Sequence, residues 1–201
     1  MKKFRTTNFF KSPSSTTVTK KVLCSVMSVR AATYEDLPQL LEIYNDVILN
    51  TTSVYSYQPH TLAMRQQWFK ERMEKNFPVF VYDLDGTIAG FSSYGAFRVW
   101  PAYKYTVENS VYVHPSYRGK GLAKRLLQPL IEDAVSKDFH AMIAGIDSSN
   151  TVSIRLHQQF GFTEVAHFKQ VGYKFGKWLD LKFFELLFET PYHPTENPKT
   201  N

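Results

Sequence analysis

VYVHPSYRGKGLAKRLL, residues 111–127, is the stretch whose reading decides the fold. It begins as a strand of β-branched and aromatic residues and ends as a helix of recurring leucines. Between them stand Pro115, two glycines, Arg118 and Lys120. A helix N-terminus leaves several backbone N–H groups without partners and carries the positive end of the helix dipole. Glycine lets a charged ligand approach the main chain, and the two cations add full charges. The combination reads as a cradle for phosphate. On residues alone, a tight strand-to-helix turn with solvent-facing cations is the equal alternative. Neither GxxxxGK[ST] nor GxGxxG is present, so this is not a Walker loop or a dinucleotide fingerprint.

Outward from the turn, periodicity organises the rest. TVENSVYV is a strand, and Gly119 to about Ser136 a helix that Pro129 is expected to kink. HAMIAGI is a buried strand, and Thr151 to Phe160 a short helix closed by Gly161. FTEVAHF and WLDLKFFELLF are two further strands. Upstream, VFVYDL and TIAGFSSYG are strands joined by Asp85-Gly86. Thr33 is the expected cap of a helix carrying Leu37, Leu40, Leu41, Tyr44 and Ile48, and Thr61 that of a helix carrying Leu62, Trp68, Phe69 and Met73. TTSVYSYQP between them reads as a polar, aromatic loop. With a short strand at MSVRAA, the order implies an α/β fold: a mixed, twisted central sheet with helices on both faces.

The 201 residues, 43% hydrophobic, fit one domain that buries most of its apolar surface. It is expected over residues 28–189, behind a basic leader or disordered extension at 1–27 and ahead of a flexible tail at 190–201. Met27 is a plausible start. The net charge of +6 sits in that leader: residues 1–34 hold seven cations and no acid, and the remainder 17 cations against 18 acids. A nucleic-acid footprint is a basic face of the fold, so no nucleic-acid partner is expected. VLCSVM is shorter than a secretory h-region, and the acid-poor leader fits an organelle transit peptide only weakly. No apolar run approaches the roughly 18 residues of a membrane span. Cys24 stands alone, which forbids an internal disulfide and argues against a Cys/His metal site. These features describe a soluble, cytoplasmic protein with no metal and no membrane partner.

Arg118-x-x-Gly121-x-Ala123 after SVYVHP resembles the [QR]-x-x-G-x-[GA] signature of the GNAT acetyltransferase superfamily. The resemblance implies that the turn, residues Arg118, Gly119, Lys120, Gly121, Leu122, Ala123 and Lys124, holds the pyrophosphate of acetyl-CoA. It also implies that Val111, Tyr112 and Val113 pair with the pantetheine amides, at a splay in the sheet. Asn150-x-x-Ser153-x-x-x-His157-x-x-x-Gly161-Phe162 resembles the family's later strand–helix segment, so that Asn150 and Ser153 face the pantetheine arm. AYKYTVENSVYVHP, SIRLH-x-x-x-GF and VGYKFGKWLDL are together similar to the phosphinothricin N-acetyltransferase branch, which includes enzymes acting on methionine sulfone and sulfoximine. The resemblance runs from about Val29 to Phe188 and implies a homodimer.

Acetyl transfer to an amine needs a held thioester, a neutral amine, a stabilised oxyanion and a proton for the departing thiolate. Glu108 is the candidate base. It shares a strand face with Ser110 and Tyr112 unless a bulge redirects it, and burial among apolar flanks would raise its pKa. The branch resemblance matches it to the catalytic glutamate. His157 stands where the wider superfamily often has a Tyr and the branch has a His; it is read as acid, second base or holder of the thiol. The oxyanion donor is a backbone N–H of Val111–Val113. With the one cysteine in the leader, direct transfer is expected. Arg98 is the first choice for an acceptor carboxylate, with Ala102, Tyr103 and Tyr105 lining the same pocket. Ser56 stands where the branch often has an aromatic, for which Tyr55 or Tyr57 can substitute. VGYKFGKWLD reads as a lid or dimer contact between the last strands. The function expected is an acetyl-CoA-dependent N-acetyltransferase acting on a small amino-acid-like acceptor. The alternatives are acetylation of a protein N-terminus or polyamine, and a non-catalytic acetyl-CoA-binding protein.

Overall fold

Seven strands and four helices follow one another in the expected order in the computed structural model, which describes residues 27–190 and Pro194. The leader up to residue 26 and most of the tail lie outside the described residues. The elements are β1 (Met27–Ala31), α1 (Leu37–Asn50), α2 (Leu62–Glu74), β2 (Val79–Leu84), β3 (Thr87–Ala96), β4 (Thr106–Val113), α3 (Leu122–Ser136), β5 (Ala141–Asp147), α4 (Thr151–Gln159), β6 (Thr163–Lys174) and β7 (Lys177–Leu187).

The strands form one sheet in the order β1-β2-β3-β4-β5-β7-β6. Every neighbouring pair is antiparallel except β4–β5, which is parallel. That parallel seam is short. Thr106, Val107 and Glu108 pair with Ala141, Met142 and Ile143, and no pairing continues beyond them. From Asn109 onward β4 and β5 diverge into a wedge. The β3–β4 register is unbroken from Gly90–Val113 to Ala96–Val107, so no bulge redirects Glu108.

Apolar faces explain the layers. Leu37, Leu40 and Ile43 of α1 and Phe69 of α2 pack on Val79, Val81 and Phe91. On the opposite face, Leu130 and Ala134 of α3 pack with Tyr94, Val107, Met142 and Phe162. Thr61 caps α2 as expected, accepting the Met64 N–H at 3.3 Å. Thr33 instead caps a short 3-10 turn, Tyr34–Asp36, because the Asp36 carboxylate accepts the Thr33 N–H at 2.8 Å and tightens the entry to α1. The helix α3 runs through Pro129 without a break; the proline leaves the Arg125 carbonyl without its helical donor, and the Ser92 hydroxyl donates to the neighbouring Leu126 carbonyl at 2.9 Å.

Two hairpins use paired positive-φ residues. Asp85 and Gly86 (φ 57° and 89°) join β2 to β3, and Phe175 and Gly176 (52° and 73°) join β6 to β7. The second lies within VGYKFGKWLD, which was expected between the last strands rather than in them. Gly172 and Lys174 lie within β6, and β7 resumes at Lys177, so the segment is a strand hairpin with a two-residue turn.

Candidate active site

The wedge takes its character from main-chain direction along β4. The His114 N–H donates to the Ala89 carbonyl at 2.9 Å, and the Phe97 N–H to the Thr106 carbonyl at 3.2 Å. In an antiparallel ladder these bonds recur every second residue. Even-numbered residues of β4 therefore bond to β3, while Val111 and Val113, beyond the last β5 pair, turn their N–H and C=O groups into the wedge. Tyr112 departs from the expected cofactor contact. Its main chain serves β3, and its ring lies on the α1–α2 face, 5.4 Å from Tyr44 and 5.1 Å from Phe91.

The basic turn opens at the wide end of the wedge. Gly119 and Gly121 have φ of 76° and 75°, and open space surrounds the place where each β-carbon would stand. Glycine is therefore required there for backbone conformation rather than for room. Gly121 caps α3, and no side-chain bond closes the helix start, which leaves the donors at this end facing outward. Arg118 bonds the Val113 carbonyl through Nε (3.2 Å) and Asp46 of α1 through Nη2 (2.8 Å), which fixes its guanidinium beside the turn. Lys120 donates to the Ser116 carbonyl at 3.2 Å. Leu122 anchors the helix in the core, Ala123 is half-buried and Lys124 is exposed.

Glu108 stands at the closed end. Its Cα pairs with Gly95 on β3 and with Ile143 on β5, the last pair before the strands part. Its Oε1 lies 3.1 Å from where a β-carbon on Gly145 would be, and the Phe183 ring is 3.3 Å from the same point. Burial pushes the Glu108 pKa up, and the Arg98 guanidinium opposes the rise. A row of rings borders the carboxylate: Phe183 to Phe97 (6.2 Å), Phe97 to Tyr103 (5.7 Å) and Phe183 to Phe168 (5.8 Å). Arg98 is exposed, stacked 3.9 Å over Phe97, and donates to that residue's carbonyl. Ala102 and Tyr103 are exposed on a 3-10 turn after it. Tyr105 is half-buried beneath the Lys104 ammonium and uses its carbonyl to hold the start of β5.

His157 lies across the sheet from Glu108. It is 4% exposed, edge-on to Phe162 at 5.0 Å. Its Nδ1 is 2.8 Å from the Ser153 carbonyl and its Nε2 3.1 Å from Asn109 Oδ1, while Asn109 Nδ2 donates to the Ile143 carbonyl at 3.1 Å. Two acceptors favour a doubly protonated ring; burial opposes it and prevails, pulling the pKa down. Asn109 thus bridges β5 and α4 where the strands part. Its only signal in the sequence is a polar residue at an inward position of an apolar strand. Asn150 caps α4 by accepting the Ser153 N–H at 3.1 Å, and its amide reaches Ser53 at 3.4 Å.

The loop after α1 is fastened to the β6–β7 hairpin. The Tyr55 hydroxyl is 3.2 Å from Asp147 Oδ2 and 3.3 Å from the Asp180 carbonyl, and its ring covers Gly172 so closely that a β-carbon there would stand 2.6 Å away. Tyr57 donates to the Tyr173 carbonyl, whereas Ser56 is turned to its own loop. Lys174, buried and unremarked in the sequence, donates to the carbonyls of Ile48 (2.5 Å), Thr51 (2.8 Å) and Val54 (2.8 Å).

The profile of the "Acetyltransferase (GNAT) family" matches residues 38–162, from α1 through the wedge and α4. The chain belongs to the GNAT acetyltransferase family. The L-methionine sulfoximine/L-methionine sulfone acetyltransferase of Pseudomonas paraeruginosa is 46% identical over 160 residues, covering 79% of this chain and 93% of that one. A phosphinothricin acetyltransferase from Sinorhizobium meliloti, solved in complex with AcCoA, superposes with a TM-score of 0.82 at 35% identity over 87% of this acetyltransferase and 97% of that chain. A ribosomal-protein-alanine N-acetyltransferase from Brucella melitensis gives 0.78 at 43% identity, covering 80% and 99%.

Proposed function

We propose that this acetyltransferase moves acetyl from acetyl-CoA directly to the amino group of a small amino-acid-like acceptor of the methionine sulfone, methionine sulfoximine or phosphinothricin type. One observation carries the reading: a wedge of outward-facing main-chain donors with a basic, glycine-shaped helix start at its mouth and a half-buried carboxylate at its apex. The residues fit the donor. The turn at 119–123, with Arg118 and Lys120, suits a diphosphate, and the wedge-facing groups of Val111 and Val113 suit an extended amide arm. Bound acetyl-CoA supplies an activated thioester.

The chain's own groups supply the rest. Glu108 accepts a proton from the acceptor's ammonium and leaves a neutral amine able to attack. Burial makes it a stronger base than an ordinary carboxylate. The Val111 N–H, aimed into the wedge, donates to the oxygen on which negative charge develops. His157 flanks the wedge on the other face, where it gives a proton to the departing sulfur, acts as a second base or holds the thiol end through Asn109. Arg98 receives the acceptor's carboxylate, with the Phe97, Tyr103 and Phe183 rings beside it. The resemblance to a protein N-acetyltransferase supports a peptide N-terminus as second reading, but a first peptide residue has no free carboxylate for Arg98. No cysteine is among the described residues, in keeping with transfer without an acyl-enzyme.

A homodimer is part of the same reading. The edge strand β6 and its hairpin expose Val165, Phe168, Val171, Tyr173, Phe175 and Trp178. The single cysteine in the sequence suits the reducing cytoplasm. A free-thiol release assay with acetyl-CoA, across amino acids and their sulfone, sulfoximine and phosphinic analogues, tests the function. Release confined to peptides or polyamines would replace the amino-acid reading.

A further inference from the structure

Among the described residues, four buried side-chain nitrogens have no hydrogen-bond partner, and all belong to one segment: His60 Nδ1, Arg65 Nε and Nη2, and Arg72 Nε. Arg65 is 2% exposed, its guanidinium held 3.9 Å over Tyr44 and 4.6 Å over Trp68. Arg72, two turns along the same helix, lies 5.6 Å from the Trp68 ring and 5.7 Å from Phe77. Neither forms an ion pair among the described residues. A buried guanidinium and a half-buried one, both without an ion-pair partner on one helix face, are costly, and stacking on rings offsets only part of that cost.

The position of Arg72 shows what completes the site. Its Cζ stands 2.6 Å from where a β-carbon on Gly95 would be, so the guanidinium occupies the side-chain place of residue 95. Gly95 is the direct cross-strand partner of Glu108. Side chains of opposed residues share a face, with β-carbons about 5 Å apart. Arg72 therefore lies on the sheet face of the proposed base, on which Arg98 also acts, and Glu108 leans the other way, over Gly145. The sheet face they share thus carries a carboxylate on one side and a guanidinium fork on the other. That suits a molecule with an ammonium at one end and a pair of oxygens at the other.

We propose that Arg72, seated on Gly95 beside Glu108, binds a doubly oxygenated group of the acceptor and so sets which amines are acetylated. The proposal rests on the amino-acid-acceptor reading above. The pair of oxygens comes from the terminal sulfonyl group, with Arg98 on the carboxylate, or from the α-carboxylate itself, with Arg72 in the place given to Arg98, and the test separates the two. Arg65 lies behind Arg72 as a buried positive charge on the same helix face.

The experiment measures kcat/KM for methionine sulfone, methionine and 3-(methylsulfonyl)propylamine with the wild type, Arg72→Gln and Gly95→Ala. The alanine β-carbon displaces Arg72 without altering it. Coenzyme A affinity, by calorimetry, reports the fold. Both variants are expected to lose at least tenfold on methionine sulfone while coenzyme A binding stays within twofold. If the sulfonyl group is bound, methionine is spared; if the carboxylate is bound, the sulfonylpropylamine is spared. Equal loss on all three acceptors, or no loss, overturns the proposal. A wild type that acetylates none of them fails the acceptor reading first, and the proposal falls with it.

Discussion

Glu108 and Asn109 are consecutive in the chain and serve opposite faces of the sheet. The first turns its carboxylate toward Gly145 and the aromatic row; the second ties His157 to the Ile143 carbonyl. Strand alternation alone produces this division, and it falls where β4 and β5 cease to pair. Both candidate proton-carrying groups thus reach one wedge from its two sides.

Replacing Glu108 by Gln is expected to lower kcat by about 10²–10⁴-fold with coenzyme A affinity unchanged. Because burial holds the folded pKa above the ordinary carboxylate value, the wild-type kcat/KM climbs with pH through that raised value, and the limb disappears in the variant. The stability linkage has the opposite slope. The folded protein binds this proton more tightly than the unfolded chain, so the contribution is full at low pH and fades as pH rises through the folded pKa.

Gly145→Val places methyl groups where Glu108 Oε1 and the Phe183 ring already crowd the β-carbon position, at 3.1 and 3.3 Å. Turnover is expected to fall by about 10²-fold through misplacement of the base. Steady-state kinetics beside a coenzyme A titration checks this; an unaffected kcat would detach Glu108 from the chemistry.

Asn109→Ala strips His157 Nε2 and the Ile143 carbonyl of their shared partner and is expected to cost about 1–3 kcal/mol in denaturant unfolding. His157 has a lowered folded pKa, so its contribution is present above about pH 6.5 and is lost as pH falls through the folded value. His157→Gln should flatten that acid-side loss.

Arg118→Ala is expected to weaken coenzyme A roughly tenfold at low salt and less at high salt, because an exposed guanidinium acts through a screened field. Salt-independent weakening would point to lost packing against Asp46 and Val113.

Lys174→Met leaves three carbonyls at the end of α1 without their donor. A drop of about 2–3 kcal/mol in stability is expected, with a raised KM for the acceptor as the Tyr55–Tyr57 loop loosens. A melt and an acceptor titration read the two effects separately.

The strand–turn–helix was legible because it is written in contiguous residues, two glycines and two cations between a strand and a helix, whereas Glu108 stood out only through the branch resemblance, since a lone strand glutamate otherwise reads as a solvated edge residue. Arg72 was not, since an arginine on a polar helix says nothing until Gly95, 23 positions later, is placed beneath it. Lys174 was hidden for the same reason, its three acceptors lying more than a hundred residues upstream. Tyr112 exposes another limit. Alternation in sequence reports where side chains point, but main-chain direction follows from which strand lies on which side, and that is a property of the finished sheet. The glycines of VGYKFG suggested a loose connection, whereas Gly172 is a flat place in β6 on which Tyr55 rests.

The three-pair seam between β4 and β5 gives this sheet an edge in its interior. An edge of that kind accepts any extended backbone that fits its length and spacing. A short strand mimic ending in a phosphonate, long enough to reach from Asn109 to the start of α3, is therefore the inhibitor shape the architecture selects. Binding it would convert two half-sheets into one continuous ladder, which amide hydrogen exchange at Val111 and Val113 would register as protection.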